Sequence, residues 1–294
     1  MNSTPFDRHL LKARRDRACR TMPQADFLLQ RTGEEFLDRL AATNRQFALT
    51  LDLGAHHGLM SKILAPLVGP NIISMDISPA MVAVSPSPRL VGDEEMLPFA
   101  HESLDLVLSA LSLHWVNDLP GTLLQVKKAL RPDGLFLAAM FGGTTLHELR
   151  DAMMQAEVEI SGGVSPRIAP FADLKDMGHL MQRAGFALPV ADTDIITVRY
   201  DTAFHLFRDL KAMGETSILK DRHRTPATRA LLQRTAEIYQ ARFADADGRL
   251  PATFEIIYMT GWAPHESQQK PLRPGTAKMR LADALDAQDR ETKK

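Results

Sequence analysis

The sequence has one cysteine, Cys19, so no disulfide can form within the chain and no thiolate metal cluster can be built. It also lacks an excess of charge of either sign, because 35 Lys and Arg residues stand against 36 Asp and Glu residues. This balance gives no basis for bulk electrostatic binding to nucleic acid or to anionic lipid. We therefore expect a reducing compartment and no nucleic-acid partner.

Long apolar runs are missing as well. A membrane-spanning helix needs about 20 apolar residues, whereas the longest candidate, LDLVLSALSLHWV, is shorter and contains Asp105. The Arg-rich opening, FDRHLLKARRDRACR, resembles a transit peptide, but Asp7 and Asp16 interrupt it and transit peptides are poor in acidic residues. We expect no integral membrane segment and no presequence, as for a bacterial-type chain in the cytoplasm.

What the sequence does contain is an alternation of short apolar strands with helices. Two helices, near residues 6–20 and 24–42, precede strands and helices that alternate from FALTLDLG to DTDIITVRY. Such alternation predicts a mostly parallel sheet with helices on both faces. The stretch 202–243 is expected to be all helix, and ATFEIIYMTGWAP to be the last strand.

These patterns predict an α/β fold with a seven-stranded Rossmann-like sheet, N-terminal helices and a helical insertion before the last strand. The expected divisions of the chain are a helical extension (1–45), a cofactor-binding core (46–201), a helical insertion (202–244), a final strand region (245–266) and a polar tail (267–294).

Acidic residues and glycines follow the predicted strands at the sheet edge where ligands bind in such folds. The first strand contains Asp52 and is followed by Gly54, and glycine lets the backbone turn tightly and approach a ligand. The second strand ends in Asp76, where a carboxylate commonly accepts hydrogen bonds from ribose hydroxyls. Asp93 and Glu94 follow the third strand and are placed to meet an adenine edge. The pattern indicates an adenosine-containing ligand.

Four segments resemble the class I S-adenosylmethionine-dependent methyltransferases: LDLGAHHG, SMDIS, GDEEMLPFAHESLDLVLSALSLHWV and LRPDGLF. The resemblance implies a methyltransferase fold with S-adenosyl-L-methionine as cofactor. It implies that the methionine part of the cofactor is wrapped by Asp52, Gly54, Ala55 and Gly58. It also implies one role each for the other positions: Asp76 at the ribose, Ile77 against the adenine, Asp93 and Glu94 at the adenine amino group, and Ser109 beneath the sulfonium.

Later segments, including GGTTLHELRDAM, DLKAMGE and PATFEIIYMTGWAPHESQQKPLRPGTA, are similar to one subgroup of this class. That subgroup contains a mitochondrial complex I assembly factor that hydroxylates an arginine of an iron–sulfur subunit. A looser resemblance is to the malonyl-carrier-protein methyltransferase of biotin synthesis. The resemblance implies a methyltransferase-fold enzyme acting on a protein or small molecule. The alternatives are a protein-arginine hydroxylase with the complex I subunit as client, and a non-enzymatic assembly factor.

His56 stands where this class has glycine, and His57 follows it. Either the loop binds cofactor with the imidazole turned aside, or cofactor binding is weakened. A metal site is not expected, because adjacent histidines point differently and the chain lacks a His-x-Asp or His-x-Glu element. His114, beyond the fourth strand, is a candidate general base, with a packing role as the alternative.

Overall fold

Seven strands form one sheet in the computed structural model, which describes residues 4–223 and 226–269. In chain order they are β1 (Thr50–Leu53), β2 (Ile72–Asp76), β3 (Arg89–Val91), β4 (Leu104–Ala110), β5 (Leu130–Phe141), β6 (Ala187–Tyr200) and β7 (Leu250–Trp262). Their spatial order is β3-β2-β1-β4-β5-β7-β6. Strands β1 to β5 pair in parallel, whereas β7 is antiparallel to both β5 and β6. The predicted seven-stranded α/β fold is confirmed.

The described helices precede the sheet, connect its strands and lie between β6 and β7. They are α1 (Arg8–Ala18), α2 (Phe27–Ala41), α3 (Leu59–Val68), α4 (Pro79–Val84), α5 (Leu119–Ala129), α6 (His147–Ser161), α7 (Leu174–Ala184), α8 (Ala203–Ala212) and α9 (Arg229–Phe243). None of them is long and apolar enough to cross a membrane. The chain divides after Pro264, and the unit that starts there is described only to residue 269.

Helices cover both faces of the sheet, as the near-continuous apolar strands predict. On β4, Leu106 and Leu108 pack with residues of α2, α3 and α6, whereas Val107 between them packs with α5 and α7. Burying such a side chain fully adds roughly 1.5–3 kcal/mol to the free energy of unfolding, compared with leaving it exposed. Packing on both faces of the sheet holds the strands in place, and the residues of the site lie at the carboxyl ends of these strands.

The expectation that 202–243 is all helix is wrong. Helix α8 ends at Ala212, and the described residues between it and α9 are not helical. Gly214 has a φ of 79°, in the left-handed region that ends a helix. The following segment instead contacts the N-terminal region, where Leu219 forms a β-bridge with Phe6. The described residues of this connection, 213–223 and 226–228, therefore form a loop (the α8–α9 loop), and this loop contributes to the site.

Candidate functional site

Asp76, the last residue of β2, is held in place by backbone donors. Its side chain is buried, and it accepts hydrogen bonds from the backbone N–H groups of His56 (3.0 Å) and Ser78 (2.8 Å). Ser78 also caps α4, so the loop after β2 is ordered around this carboxylate. The turns after β1 and β2 therefore fix the position of Asp76 at the carboxyl ends of the strands, and its role as a ligand contact stays a prediction.

The guanidinium of Arg15, on α1, is buried beside Asp76. Its Nη1 atom donates to Asp76 Oδ2 at 2.9 Å and to Glu94 Oε1 at 3.3 Å, and its Nη2 atom donates to Ser112 Oγ at 2.8 Å. Burial alone would raise the pKa of Glu94, but Arg8 and Arg15 outweigh it and lower that pKa to about 2. Buried charges are tolerated when they are paired in this way.

A second arginine of the same helix extends this network. Arg8 donates to Asp93 Oδ1 at 2.6 Å and also contacts Glu94 Oε2. Arg8 and Arg15 are seven residues apart, close to two helical turns, so both lie on one face of α1. This cationic face of α1 covers the carboxylates Asp76, Asp93 and Glu94.

The turn after β1 needs glycine at Gly54. Its φ is 71°, and a Cβ atom there would lie 2.1 Å from Ser112 Oγ. His56, two residues on, also takes a left-handed φ of 49°, although it is not glycine. Its Nε2 atom lies 3.1 Å from the carbonyl oxygen of Ala110, and burial lowers its pKa to about 3. The neutral imidazole is thus turned toward the end of β4.

The other residues implied by the resemblance make contacts within the sheet and its helices. Asp52 accepts a hydrogen bond from Ser61 Oγ of α3 at 2.9 Å, and burial raises the pKa of Asp52 to about 7. Ser109 donates to the Leu53 carbonyl at 2.8 Å. The Ala55 backbone N–H donates to the Met75 carbonyl oxygen, and Gly58 is the N-cap of α3 with a φ of 76°. Ile77 packs against the apolar cluster that contains Phe6 and Trp115.

A cavity of about 490 Å³ lies beyond β4 and β5, and the α8–α9 loop contributes to its wall. Its aromatic lining consists of Trp115, Phe141, Phe171, Phe207 and Phe254. Glu215, from the loop, also lines it. A second cavity of about 20 Å³ is lined by Glu215, Phe141 and Met213 together with His56. Glu215 therefore lies between the turn after β1 and the larger cavity.

His114, the candidate general base, is bonded to this same glutamate. Its Nε2 atom lies 3.1 Å from Glu215 Oε2, which also accepts the Trp115 Nε1–H at 2.7 Å. The imidazole is buried and packs on Phe141, with ring centroids 4.8 Å apart. These contacts give His114 a place in the wall beside the cavity, and its role as a base stays a prediction.

Four residues of the site were not predicted: Arg8, Arg15, Ser112 and Glu215. The seven-residue spacing of Arg8 and Arg15 was a usable signal, since it places two cations on one helix face opposite a predicted acidic sheet edge. Glu215 gave no such signal, because its segment was expected to be helical and its partners lie about 100 residues away along the chain.

The strand order, the glycine turn after β1 and the carboxylate at the end of β2 define a class I S-adenosylmethionine-dependent methyltransferase fold. A family model described as a methyltransferase domain matches residues 51–138. A solved structure from Bacillus halodurans, described as a candidate methyltransferase, superposes with a TM-score of 0.55 at 17% identity. That superposition covers 79% of this chain and 98% of the other, and it shows the shared fold.

More similar relatives extend beyond the matched domain. Arginine-hydroxylase NDUFAF5 of Homo sapiens is 41% identical over 92% of this chain and 81% of its own length. The same protein of Danio rerio is 38% identical over 95% of this chain and 88% of its own length. Malonyl-[acyl-carrier protein] O-methyltransferase of Laribacter hongkongensis is 34% identical over 92% of this chain and 94% of its own length. The chain belongs to the methyltransferase-fold enzyme family that contains these proteins.

Proposed function

We propose that this protein is an S-adenosylmethionine-binding enzyme that hydroxylates an arginine side chain of a protein client. The similarity to arginine-hydroxylase NDUFAF5 carries the proposal, because it spans at least 92% of this chain in the two relatives described above. The methyltransferase domain match ends at residue 138, so this similarity includes α8, α9 and the loop with Glu215. These elements form much of the cavity in which a client side chain would react.

The chemistry of the strand-end residues fits the cofactor. Asp76 would accept the ribose hydroxyls, and Glu94 with Asp93 would accept from the adenine amino group. Gly54 would let the backbone approach the cofactor closely, at a φ that glycine adopts most readily. The remaining proposed contacts are Asp52, Ala55 and Gly58 along the methionine part, Ile77 on the adenine and Ser109 beneath the sulfonium. The guanidinium of Arg15 contacts Asp76 and Glu94 in this structure, so we propose that cofactor binding displaces it.

In the proposed reaction, one C–H bond of the arginine side chain is replaced by C–OH. One oxygen atom of dioxygen enters the new bond, and the other leaves as water with two electrons and two protons from an external reductant. The chain's own contribution is to hold the arginine in the aromatic cavity beside the cofactor turn and to exclude water from it.

Methyl transfer is the second candidate reaction. The relative named malonyl-[acyl-carrier protein] O-methyltransferase supports it, because that similarity covers 92% of this chain and 94% of the relative. S-adenosylmethionine supplies the methyl group in such a reaction. Arg14 and Arg222 line the cavity and would hold an anionic substrate there.

The proposed client is the iron–sulfur subunit of respiratory complex I that lies next to the quinone site. The proposed location is the bacterial cytoplasm, or the mitochondrial matrix if the chain is eukaryotic. Client peptides should be compared by mass spectrometry from cells with the wild-type protein, with no protein, and with Asp76→Asn. We expect one arginine to gain an oxygen atom only with the wild type and with a control variant, Asp247→Asn, which changes an exposed surface carboxylate.

Other outcomes separate the alternatives. A gain of one methyl group in place of oxygen would reject hydroxylation and support methyl transfer. An unchanged client mass, together with complex I assembly that still depends on the protein, would reject both reactions and support a non-enzymatic assembly factor.

A further inference from the structure

We infer that Glu215 binds the guanidinium of the substrate arginine, and that Arg14 and Arg222 bind an acidic residue next to that arginine in the client. This inference rests on the proposed function, since it concerns how the same cavity selects its arginine.

Glu215 places a negative charge on the wall of the cavity. Its side chain is 12% exposed, and a single oxygen atom, Oε2, receives both the His114 and Trp115 donors. No Arg or Lys in residues 4–223 and 226–269 forms an ion pair with it. Burial would raise the pKa of Glu215, but His114 and Arg15 outweigh this and lower it, so the carboxylate is ionised. Such a charge on a cavity wall favours a cationic ligand.

The surrounding lining suits an arginine side chain. Trp115, Phe141 and Phe254 are almost fully buried, and all three line the cavity. Aromatic faces bind the methylene stem of arginine and stack on its planar guanidinium. A guanidinium that donates to Glu215 would also lie close to His56, because both residues line the smaller cavity. The proposed arginine site therefore adjoins the proposed cofactor turn.

The more exposed part of the lining is basic. Arg14 is half-buried, and its guanidinium donates to the carbonyl oxygens of Thr216 and Ser217. Burial and the nearby Arg222 and Arg17 lower the pKa of Arg14 to about 10. Within the part of the chain that the structure describes, neither Arg14 nor Arg222 has a carboxylate partner in an ion pair. A client carboxylate beside the substrate arginine would supply that partner, whereas basic neighbours would be repelled.

A structural role for Glu215 predicts something different. If its carboxylate only accepts the His114 and Trp115 hydrogen bonds, a glutamine amide oxygen would replace it without loss of peptide binding. If it binds a guanidinium, the loss of charge should weaken arginine binding specifically. Glu215→Gln therefore separates the two roles while it keeps an acceptor for both donors.

The test uses the full chain saturated with cofactor and three synthetic peptides, with affinity measured by calorimetry. The first carries arginine next to aspartate, the second carries citrulline in place of the arginine, and the third carries asparagine in place of the aspartate. We expect Glu215→Gln to lose about tenfold or more in affinity for the first peptide and to bind the citrulline peptide like the wild type. Arg222→Gln should lose the preference for aspartate over asparagine.

Cofactor titration of each variant checks that it is folded, and Arg234→Gln, on the exposed face of α9, controls for a general loss of positive charge. The inference is overturned if the wild type binds arginine and citrulline peptides equally, if it binds none of them, or if Glu215→Gln leaves the affinity unchanged. Glu215-dependent binding with no gain of oxygen in the client would instead overturn the proposed reaction and leave the arginine site intact.

Discussion

Arg15 and Asp76 are joined by a buried hydrogen bond of 2.9 Å between residues that are 61 positions apart in the sequence. The bond ties α1 to the end of β2, at the oxygen that also receives the His56 backbone N–H. We propose that the same carboxylate binds the ribose of the cofactor. Arg15 and the cofactor would then compete for one acceptor.

Arg15→Met should make the cofactor-free protein less stable and its cofactor affinity higher. Methionine keeps much of the buried volume but leaves Asp76 and Glu94 without their shared cation. Removing one partner of a buried ion pair lowers the free energy of unfolding by about 3–5 kcal/mol, because the other charge is left buried without a partner. Denaturant unfolding measures the first effect, and calorimetry with S-adenosylhomocysteine measures the second. Arg17→Met, at an exposed position on the same helix, should change neither.

A lower cofactor affinity in Arg15→Met would contradict competition. It would mean that Arg15 contributes a favourable contact to the bound cofactor.

Asp76→Asn should weaken cofactor binding by about 1.5–3 kcal/mol, because the ribose hydroxyls lose a charged acceptor. The amide keeps the shape of the side chain, so the loss reports on charge. Calorimetry should show no change for Asp247→Asn, whose carboxylate pairs with Arg249 at the surface. Equal affinity of Asp76→Asn and wild type would remove Asp76 from the proposed cofactor contacts.

His56→Gly should preserve or improve cofactor affinity. A side chain at the φ of 49° found there costs roughly 1–2 kcal/mol, and glycine adopts that φ freely. His56→Ala is the matched control, since it also removes the imidazole but keeps the Cβ atom at the unfavourable φ. We expect both variants to bind cofactor at least as tightly as the wild type at pH 6 and pH 8, because each removes the imidazole from the turn, and we expect the glycine variant to be more stable than the alanine variant. A tenfold loss in His56→Gly that depends on pH would instead indicate a contact from the imidazole to the cofactor.

The stability of the protein should fall in acid through His56. Burial lowers the pKa of His56 to about 3, whereas an unfolded histidine titrates near 6.5. Between these values the unfolded state binds the extra proton, so the free energy of unfolding falls as the pH falls below 6.5. From pH 7 to pH 5 the loss attributable to His56 is about 2 kcal/mol.

Denaturant unfolding of wild type and His56→Gln at both pH values measures this loss as a difference between the two proteins. The comparison is necessary because Asp52, with its pKa raised to about 7, acts in the opposite direction and loses stabilisation as the pH rises. A wild-type-to-variant difference that stays constant between pH 5 and pH 7 would show that His56 does not titrate in this way.

The strand ends of the site could be predicted from the sequence because parallel strands bring successive carboxyl ends to one edge. Asp76 and Glu94 follow different strands, yet both contact Arg15. An apolar run followed by a glycine marks where a strand ends in the sequence, and ligands in such folds bind at these strand ends. Their proposed contacts with cofactor stay predictions.

The positions of α1 over this edge and of the loop that carries Glu215 could not be predicted in the same way. Whether α1 lies over the carboxylates depends on packing between segments that are far apart in the sequence, which periodicity does not report. The loop with Glu215 was missed because the helical pattern on both sides hid the break at Gly214. Its position depends on the contact between Leu219 and Phe6, again a distant partner.

Arg14 and Arg15 are neighbours on one helix but serve different spaces. Arg15 contacts the carboxylates at the sheet edge, whereas Arg14 lines the aromatic cavity and bonds to the loop that carries Glu215. A shift of α1 that frees Asp76 therefore also moves a cation in the cavity. If cofactor binding then changes the affinity for the client by some factor, thermodynamic linkage requires that client binding changes the affinity for the cofactor by the same factor.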